Sequence, residues 1–518
     1  MIDTAHQQIT EALGMLDNPF YQGCEEFPLE MIKMNIPHAS ELGKSVLERV
    51  QHLIGSSNSN ISQKAVAVVA LSGPTNWELR QIVNKLSPQQ KEAVFCDRHL
   101  INSLTTAKKS DIAIEIIEYL SPESQTTILS DFDVLNFLVV DTNTYVCIGR
   151  ANKLINIIEE LSPEQQLKIL IQGTNIWALT HHHQQQAQSV LKLIQQFPRE
   201  QQVEMFSQQW AIKGLSKTPA QTSNMLAIIQ SFSTEEQIKM LSAVHALWKC
   251  SLYDQQTEEL LTLINSFTTE QQVHIWSAPS SVKSFAGNHR AELMMGIIKG
   301  FTPDQQTTIL STNGAVWGLC LGNQSVAITN LLETLSPEQQ TSILSAKNSI
   351  EGLAENEATE EVMGLILRLN PQQQARIFSV NSAVKSLVEK GHSPIIVSLI
   401  EDCSAEEKTN VFCSYNAIWS LSNAGYNEEI LNMMFTLSSE QQATILSGYD
   451  IASTLAEYSP NLPMLAKMFH HFTPEQQDKI FSNMKIQDSE NAVIAITEIM
   501  ANHPQQKSKP KKTRKNSP

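Results

Sequence analysis

A ten-residue phrase recurs along almost the whole chain of 518 residues and constrains its fold more than any other feature. The phrase LSPEQQLKIL at residues 161–170 returns with small changes at 301–310, 335–344, 437–446 and 472–481. Looser copies begin at Leu86, Leu120, Phe197, Phe232, Phe267, Leu369 and Cys403, and a shortened copy begins at Ile61, which makes thirteen. From Leu86 the copies are spaced by 34 to 41 residues, most often by 34. Such a period is typical of a solenoid whose units bury their apolar faces on one another.

The opening of each unit has the pattern of a helix N-terminus. Counting from the first residue of the phrase, position 2 is usually Ser or Thr, position 3 often Pro, position 4 usually acidic and position 5 usually Gln. These are an N-cap, a proline in the first turn, an acid at the positive end of the helix dipole and the partner residue of a capping box. We therefore predict a first helix from position 3 to about position 11, with positions 9 and 10 buried, as in Ile169 and Leu170.

The rest of each unit predicts more helix and no sheet. After a polar break comes an apolar segment, such as 315–319, with Trp at position 17 in Trp77, Trp177, Trp248, Trp317 and Trp419. A second break, such as 322–323, 391–392 or Gly425, leads to a last helix with apolar residues seven, four and three places before the next unit, for example Ile328, Leu331 and Leu332. Period-two alternation is nowhere sustained. The expected fold is an all-α, right-handed α-solenoid of about thirteen units of 34–36 residues.

Three regions follow from the repeat pattern. Residues 1–60 do not match it but contain an amphipathic stretch at 42–53, which predicts an N-terminal helical cap. Residues 61–502 form the repeat array, and its last unit closes with 492–500 as a capping repeat. Residues 503–518 are rich in Pro, Lys and Ser and are expected to be disordered.

Charge is distributed unevenly between the array and the tail. The formal net charge is -16, but six basic residues and no acid lie in the last twelve residues, so residues 1–502 have 31 basic and 53 acidic residues, a net charge of -22. A body this acidic is a poor electrostatic match for a polyphosphate. The tail residues Lys509, Lys511, Lys512, Arg514 and Lys515 have the form of a short nuclear localisation signal, or alternatively of a nonspecific anion-binding tail.

The composition favours a folded, reduced, non-membrane protein. A hydrophobic share of 42% is too high for a wholly disordered chain, and no apolar run approaches the roughly 18 residues of a bilayer crossing. The first 15 residues lack the pattern of a secretory signal. The seven cysteines are odd in number, irregularly spaced and without a CxxC pair, which favours free thiols over disulfides or a zinc site.

The sequence offers no candidate for catalysis, a cofactor or a metal. The nucleotide-binding, zinc-protease and nucleophile-elbow motifs are all missing from it. The run His181, His182 and His183 follows a helical segment without other ligands at suitable spacing, so we interpret it as a surface loop. The pair His470 and His471 borders core positions, and we expect it to be solvated or partly buried. The chain is therefore predicted not to be an enzyme.

Two repeated residue types have more than one interpretation. The Trp residues at position 17 could be a stacking platform for bases, but their aliphatic neighbours favour packing in the core. The Gln pairs at positions 5 and 6, such as 165–166 and 339–340, could form a partner-binding ridge or be ordinary solvated residues of the first turn. The sequence leaves the Gln question open.

The phrase resembles the repeats of transcription activator-like effectors. In the unit that opens at Leu335 the matching residues are Leu335, Ser336, Pro337, Glu338, Gln339, Ile343 and Ser345, and in the next unit upstream they are Phe301, Pro303, Asp304, Gln305, Ile309 and Ser311. The resemblance covers about 86–482. It implies a bacterial protein, secreted into a host cell, that wraps DNA, reads one base per unit with the loop at positions 12 and 13 and acts in the nucleus.

The loops at positions 12 and 13 are therefore the candidate partner-facing residues. They are Gln172, Gly173, Thr312, Asn313, Ala346, Lys347, Val380, Asn381, Ser414 and Tyr415. The glycine pair and the regular basic stripe that follow these positions in the family are missing here, and position 17 is often Trp and sometimes Lys, as in Lys213, Lys283 and Lys385.

Two functions compete on this evidence. The first, favoured by the acidic body, is a non-enzymatic scaffold that binds a host protein on its superhelical surface. The second is binding of DNA or RNA in the manner of the effectors, which requires the position 12–13 loops to lie beside enough lysine to offset the net charge.

Overall fold

A computed structural model describes residues 108–482 except 132–133, 140–143, 181–182, 381, 449–450 and 458–461, together with isolated positions 80, 84, 91, 101 and 104–105. The predicted N-terminal cap, the closing helix at 492–500 and the basic tail lie outside this part of the chain, as do most residues of the units that open at Ile61 and Leu86. The count of thirteen units and these region boundaries therefore stay predictions.

The chain divides into an N-terminal unit, up to Thr268, and a C-terminal unit, from Thr269. The helices of the N-terminal unit are α1 (Ser110–Glu118), α2 (Pro122–Leu129), α3 (Val134–Val139), α4 (Thr144–Glu160), α5 (Pro163–Leu170), α6 (Asn175–Thr180), α7 (Gln184–Ile194), α8 (Arg199–Phe206), α9 (Ala211–Leu215), α10 (Pro219–Gln230), α11 (Thr234–Leu241), α12 (Leu247–Cys250) and α13 (Asp254–Asn265).

The helices of the C-terminal unit continue the same order. They are α14 (Thr269–Trp276), α15 (Ser281–Phe285), a π-helical turn (Ala286–Arg290), α16 (Ala291–Lys299), α17 (Pro303–Leu310), α18 (Ala315–Cys320), α19 (Ser325–Glu333), α20 (Pro337–Leu344), α21 (Ser349–Glu355), α22 (Thr359–Leu367), α23 (Pro371–Phe378), α24 (Ala383–Glu389), α25 (Ser393–Glu401), α26 (Ala405–Phe412), α27 (Tyr415–Asn423), α28 (Asn427–Phe435), α29 (Ser439–Leu446), α30 (Ile451–Glu457), α31 (Leu462–Phe469) and α32 (Pro474–Ser482).

Each repeat consists of three helices, which we call first, middle and third. Corresponding helices of successive repeats pack on one another. The first helix α17 packs on the first helix α20, the middle helix α18 on the middle helix α21, and the third helix α19 on the third helix α22. The described residues contain no β-strand. The chain is an all-helical repeat protein of the solenoid class, as the sequence predicted.

The predicted N-caps are present. In α5, the Ser162 hydroxyl accepts the Gln165 backbone N–H at 3.4 Å, and the Gln165 side-chain carbonyl accepts the Ser162 N–H at 3.1 Å. The same reciprocal box opens α11, α17, α20, α23, α26 and α29. Helix α2 has the Ser121 cap but has Ser124 at the partner position of the box, and in α8 Pro198 at the cap position has no side-chain acceptor. Where the box forms, the position-5 side chain caps its helix, as the sequence predicted.

Glutamine at position 6 joins the first helix to the third helix before it. Gln340 is buried, and its Nε2 donates to the Leu332 and Leu335 carbonyls, both at 2.9 Å. Gln442 does the same for Met434 and Leu437. These carbonyls lie at the end of a third helix or just after it, and the Leu332 carbonyl also accepts the Leu335 N–H at 3.0 Å. The two interpretations of the Gln pairs, a partner-binding ridge and solvated residues of the first turn, are therefore both incomplete. The Gln at position 5 caps the start of a helix, and the Gln at position 6 donates to carbonyls at the end of a helix.

The core lies where the helical periodicity predicts it. Ile169 and Leu170 of the first helix are fully buried, as are Ile328 and Leu332 of a third helix, and Leu331 is 9% exposed. A row of apolar contacts thus runs through successive repeats, and each side chain of this kind contributes about 1.5–3 kcal/mol on burial.

Middle helices approach one another closely where position 18 is glycine. A Cβ added to Gly318 would lie 2.5 Å from the Cα of Lys283 in the preceding repeat. A Cβ added to Gly214 would lie 3.1 Å from the Cα of Trp177. Position 18 therefore rests on the backbone of position 17 in the repeat before it, and this contact sets the spacing of the position-17 side chains.

Candidate functional site

The residues at position 17 form a surface row that we call the Trp–Lys row. In the N-terminal unit it consists of Trp177, Lys213 and Trp248, and in the C-terminal unit of Lys283, Trp317, Glu351, Lys385 and Trp419. All eight side chains are half-buried. The expectation that the position-17 tryptophans pack in the core is wrong for the four in the described residues. Trp77 lies outside them.

Helix geometry explains this exposure. In α18, Ala315, Val316, Gly318 and Leu319 are buried and Trp317 between them is half-buried. At 100° per residue, positions 15, 16, 18 and 19 share one side of a helix, and position 17 lies opposite them. This periodicity is visible in the sequence and could have identified the row, but aliphatic flanking residues alone were a misleading signal.

Lysine ammonium groups of the row lie over indole rings. Lys283 Nζ is 4.3 Å from the centroid of the Trp317 ring in the next repeat. Lys213 Nζ is 4.4 Å from the Trp248 centroid, also in the next repeat. The longer contact, from Lys385 Nζ to the Trp419 ring, measures 5.9 Å. Contacts of this kind contribute about 0.5–1 kcal/mol at exposed sites and hold the two residue types side by side.

The loop before each middle helix borders the row. Its last residue, position 14, has a left-handed backbone in successive repeats: Trp210, His245, Ser280, Gly314, Asn348 and Ser382. A Cβ on Gly314 would lie 3.3 Å from Cδ of Lys283. The loops are also joined along the stack, because the Trp210 N–H donates to the Val244 carbonyl at 3.1 Å. Position 14 and position 17 thus belong to one surface.

In the N-terminal unit, position 14 adds two aromatic residues to this surface. The Trp210 ring lies 5.2 Å from the Trp177 ring and 4.4 Å from the His245 ring, measured between centroids. His245 in turn lies 6.3 Å from Trp248. We call Trp177, Trp210, His245 and Trp248 the four-ring cluster. The repeat pattern does not reveal this cluster, because Trp210 and His245 do not occupy the position of the other tryptophans.

Carboxylates are missing from the segments that build this surface. Positions 11–22 of five successive repeats, residues 171–182, 207–218, 242–253, 277–288 and 311–322, contain four lysines and no Asp or Glu. The acids of these repeats lie in the first and third helices, for example at position 4. The net charge of the chain therefore does not describe the charge of this surface.

Two lysines beside the four-ring cluster have weakened basicity. Burial lowers the pKa of Lys213 to about 8, and the Lys249 ammonium adds to the effect. The pKa of Lys217 is likewise lowered to about 8, first by burial and then by Lys249 and Lys213. Both shifts follow first from burial and then from repulsion between cations on segments that contain no carboxylate.

The predicted position 12–13 residues of the repeats that open at 161, 301 and 335 lie in the loops that end at this surface, whereas Tyr415 is the first residue of α27. Gln172, Gly173, Thr312, Ala346, Val380 and Ser414 are half-buried, and Asn313 and Lys347 are exposed. The Thr312 hydroxyl donates to the Ser277 carbonyl at 3.2 Å, so this side chain links two neighbouring loops. Asn381 and the side chain of Tyr415 lie outside the described residues. A partner-facing role for these loops stays a prediction.

The remaining sequence candidates have local roles or lie outside the structure. His183 caps α7, because its Nδ1 accepts the Gln185 N–H at 3.2 Å, and His181 and His182 are not described. His470 is half-buried and His471 exposed, as expected. Across the described ranges, no three His, Cys, Asp or Glu side chains are grouped so as to hold a metal ion. The nuclear-signal residues of the tail are beyond the described part.

The sequence also led to predictions about the cysteine thiols and about membrane-spanning segments. Cys250, Cys320, Cys403 and Cys413 are free thiols, as predicted, and Cys24 and Cys96 are not described. Within the residues described, no helix combines the length and apolar character that crossing a bilayer requires.

Comparison with known proteins gives architecture only. No family model and no curated protein matches the sequence. Among solved structures, a Kap121p mutant is similar with a TM-score of 0.37 and 10% identity over 93% of this chain, which spans 56% of that chain. The pentatricopeptide repeat protein PPR10 from maize is similar with a TM-score of 0.29 and 12% identity, over 95% of this chain and 72% of that chain. UNC-45 from Drosophila melanogaster is similar with a TM-score of 0.27 and 10% identity, over 96% of this chain and 88% of that chain. At these values the similarities carry no functional argument.

Proposed function

We propose that this helical repeat protein binds nucleic acid through the Trp–Lys row. The observation that carries the proposal is the placement of Lys213 and Lys283 against the indoles of the next repeat, on segments without a carboxylate. Indole rings offer stacking surfaces to bases, and ammonium groups pair with phosphates. A surface that presents both at one position of successive repeats matches a polymer that also presents both at a regular spacing.

The acidic net charge does not oppose this proposal. Repulsion between the protein and a polyanion depends on the charges near the bound strand, since exposed charges are screened beyond about 8–10 Å at physiological ionic strength. In the C-terminal unit the row itself contains one acid, Glu351, and Glu389 is paired with the row residue Lys385 at 3.8 Å. The five repeats that open at residues 161 to 301 have no acid in the segments that form the surface.

The resemblance to transcription activator-like effectors supports the same class of partner. It also motivates the wider predictions of secretion into a host cell and action in its nucleus, which depend on that resemblance and on the basic tail. The role of position 17 differs from the family pattern, because indoles stand where the effectors present a basic stripe. The binding mode proposed here is therefore this chain's own.

A protein partner is the second candidate. It is favoured by exposed apolar side chains in the C-terminal unit, among them Leu321 and Val326, which are 52% and 60% exposed. Leu321 directly follows α18, and Val326 is the second residue of α19.

Fluorescence anisotropy with a labelled oligonucleotide tests the proposal. The protein is the full-length chain with the six basic tail residues replaced by glutamine, so that the tail contributes no binding. The test variant combines Lys213→Gln, Lys283→Gln and Lys385→Gln. The matched control removes three exposed lysines of first and third helices, by Lys168→Gln, Lys239→Gln and Lys299→Gln.

Loss of the row lysines should weaken binding at least tenfold and reduce the slope of log K against log salt by up to about three, one for each lost phosphate contact. The control should bind within about threefold of the parent. Equal losses in both variants would mean that the lysines act only through net charge. No binding by the parent at low salt would reject a nucleic-acid partner and direct the search to proteins.

A further inference from the structure

The four-ring cluster is a local feature that the repeat does not require. In the C-terminal unit, position 14 is Ser280, Gly314, Asn348 or Ser382, and each of these supports the same loop. In the N-terminal unit the same position is Trp210 and His245. The loop geometry is thus built equally well from small residues, and the two rings must have another reason to be there.

Trp210 occupies its position at a cost in backbone energy. Its φ is +66°, a left-handed conformation that glycine and asparagine adopt readily and that is a true outlier for a bulky side chain. Backbone strain of this kind persists where the surroundings hold it in place, and it concentrates at binding sites. At Trp210 the strain has the effect of placing an indole beside Trp177 and His245 on the bordering surface.

Lys213 lies between two indoles of the cluster. Its Nζ is 4.0 Å from the Trp210 centroid and 4.4 Å from the Trp248 centroid. Lys217 and Lys249 add two further cations near it. A lysine side chain has four rotatable bonds, so its ammonium can leave the rings for a nearby phosphate without a change in the backbone.

We propose that the four-ring cluster stacks unpaired nucleobases and makes the protein prefer single-stranded nucleic acid to a duplex. When a strand binds, Lys213 leaves the faces of Trp210 and Trp248 for a phosphate, and a base takes its place against the indoles. This inference rests on the proposed function and adds to it the strand type and the location of the principal stacking site.

The preference for single strands follows from which part of the nucleic acid each group can reach. The lysines pair with phosphates, which duplexes and single strands both expose. The rings require the flat faces of bases, which a duplex keeps within its own stack and a single strand presents freely. The row lysines therefore contribute to the affinity for duplexes and for single strands, whereas the four-ring cluster contributes only to the affinity for single strands.

The test variant is Trp210→Gly, because glycine relieves the left-handed backbone while it removes the ring. Asn348→Gly is the matched control: it makes the same backbone change at the same repeat position without removing a ring. A second variant, Trp210→Asn, guards against misfolding, since asparagine already occupies this position as Asn348. Circular dichroism and thermal unfolding confirm the fold of each variant.

The full-length chain with its tail neutralised is titrated with a 20-nucleotide oligothymidylate and with a 20-base-pair duplex. Trp210→Gly and Trp210→Asn should each lower the affinity for the oligothymidylate at least about fivefold, because stacking on one ring changes the affinity by roughly five- to 150-fold. Both should bind the duplex within twofold of the parent. Asn348→Gly should change neither affinity.

The outcomes separate this inference from the proposed function. If both Trp210 variants bind the oligothymidylate within twofold of the parent, or lose single-strand and duplex affinity equally, the stacking site is wrong and nucleic-acid binding through the row stands. If the parent binds neither probe, the proposed function fails and the inference fails with it.

Discussion

Gly352 lies so close to Trp317 of the preceding repeat that an added Cβ would be 2.7 Å from the Trp317 Cα. This distance is shorter than any that real Cβ atoms adopt, and the obstacle is backbone rather than a flexible side-chain end. The contact joins the fold to the candidate site, because it fixes how far apart two successive members of the Trp–Lys row can be. Position 18 is therefore a structural requirement of the surface at position 17.

Gly352→Ala should destabilise the C-terminal unit by about 1–3 kcal/mol, because the middle helices α18 and α21 must separate to admit the methyl group. The control is Gly364→Ala in α22, where an added Cβ meets nothing within 4 Å. That change should be neutral or stabilising by up to about 1 kcal/mol, since alanine is the better helix former. Urea unfolding of the two variants measures the difference. Equal stability of both would mean that the helices can shift freely.

Gln340→Ala should destabilise the fold more than Gln339→Ala, although the two residues are neighbours. Gln340 is buried and donates to the Leu332 and Leu335 carbonyls, so its replacement removes two buried hydrogen bonds, at about 1–3 kcal/mol. Gln339 lies at the surface, where water can replace its part of the capping box, and the expected loss is about 0.5–1 kcal/mol. Thermal unfolding compares the two, and the reverse order would contradict the role assigned to position 6.

Repetition made the helices of this chain predictable and made its surface difficult to predict. A stripe such as Ile328, Leu331 and Leu332 is visible in the sequence because periodicity alone places it in the core. The capping residues can be recognised in the sequence as easily, since their hydrogen-bond partners lie three residues away. Trp210 could not be assigned in this way: its neighbours Trp177 and His245 belong to other repeats, and its left-handed backbone follows from the stacked loops.

The cysteines should differ sharply in reactivity towards a thiol reagent. Burial raises the pKa of Cys250 and of Cys320 to about 12, so neither offers thiolate or access at neutral pH. Cys413 is exposed, and burial of part of its side chain raises its pKa by less. In a chain with Cys24→Ser and Cys96→Ser, maleimide at pH 7.5 should label Cys413 first, as peptide mapping by mass spectrometry would record. Early labelling of Cys250 would show that α12 opens readily.

The stability of the N-terminal unit should rise between about pH 8 and pH 10.5. Burial lowers the pKa of Lys213 and Lys217 from the ordinary value of 10.5 to about 8, with Lys249 and the mutual repulsion of the pair as further causes. In this window the unfolded chain binds more protons than the folded chain, so deprotonation favours folding. Below about pH 8 both lysines are charged in either state, and their unfavourable burial is fully present.

The measurement is the urea midpoint of unfolding as a function of pH for the parent and for Lys213→Gln combined with Lys217→Gln. Relative to this variant, the parent should gain stability from pH 8 to pH 10, and below pH 7.5 the difference should be constant. A control with Lys168→Gln and Lys239→Gln, two exposed lysines of the same unit, corrects for the other groups that titrate in this range. If the parent and the double variant follow parallel curves, the two lysines are fully hydrated, and the close approach of Lys213 to the indoles of Trp210 and Trp248 does not persist in solution.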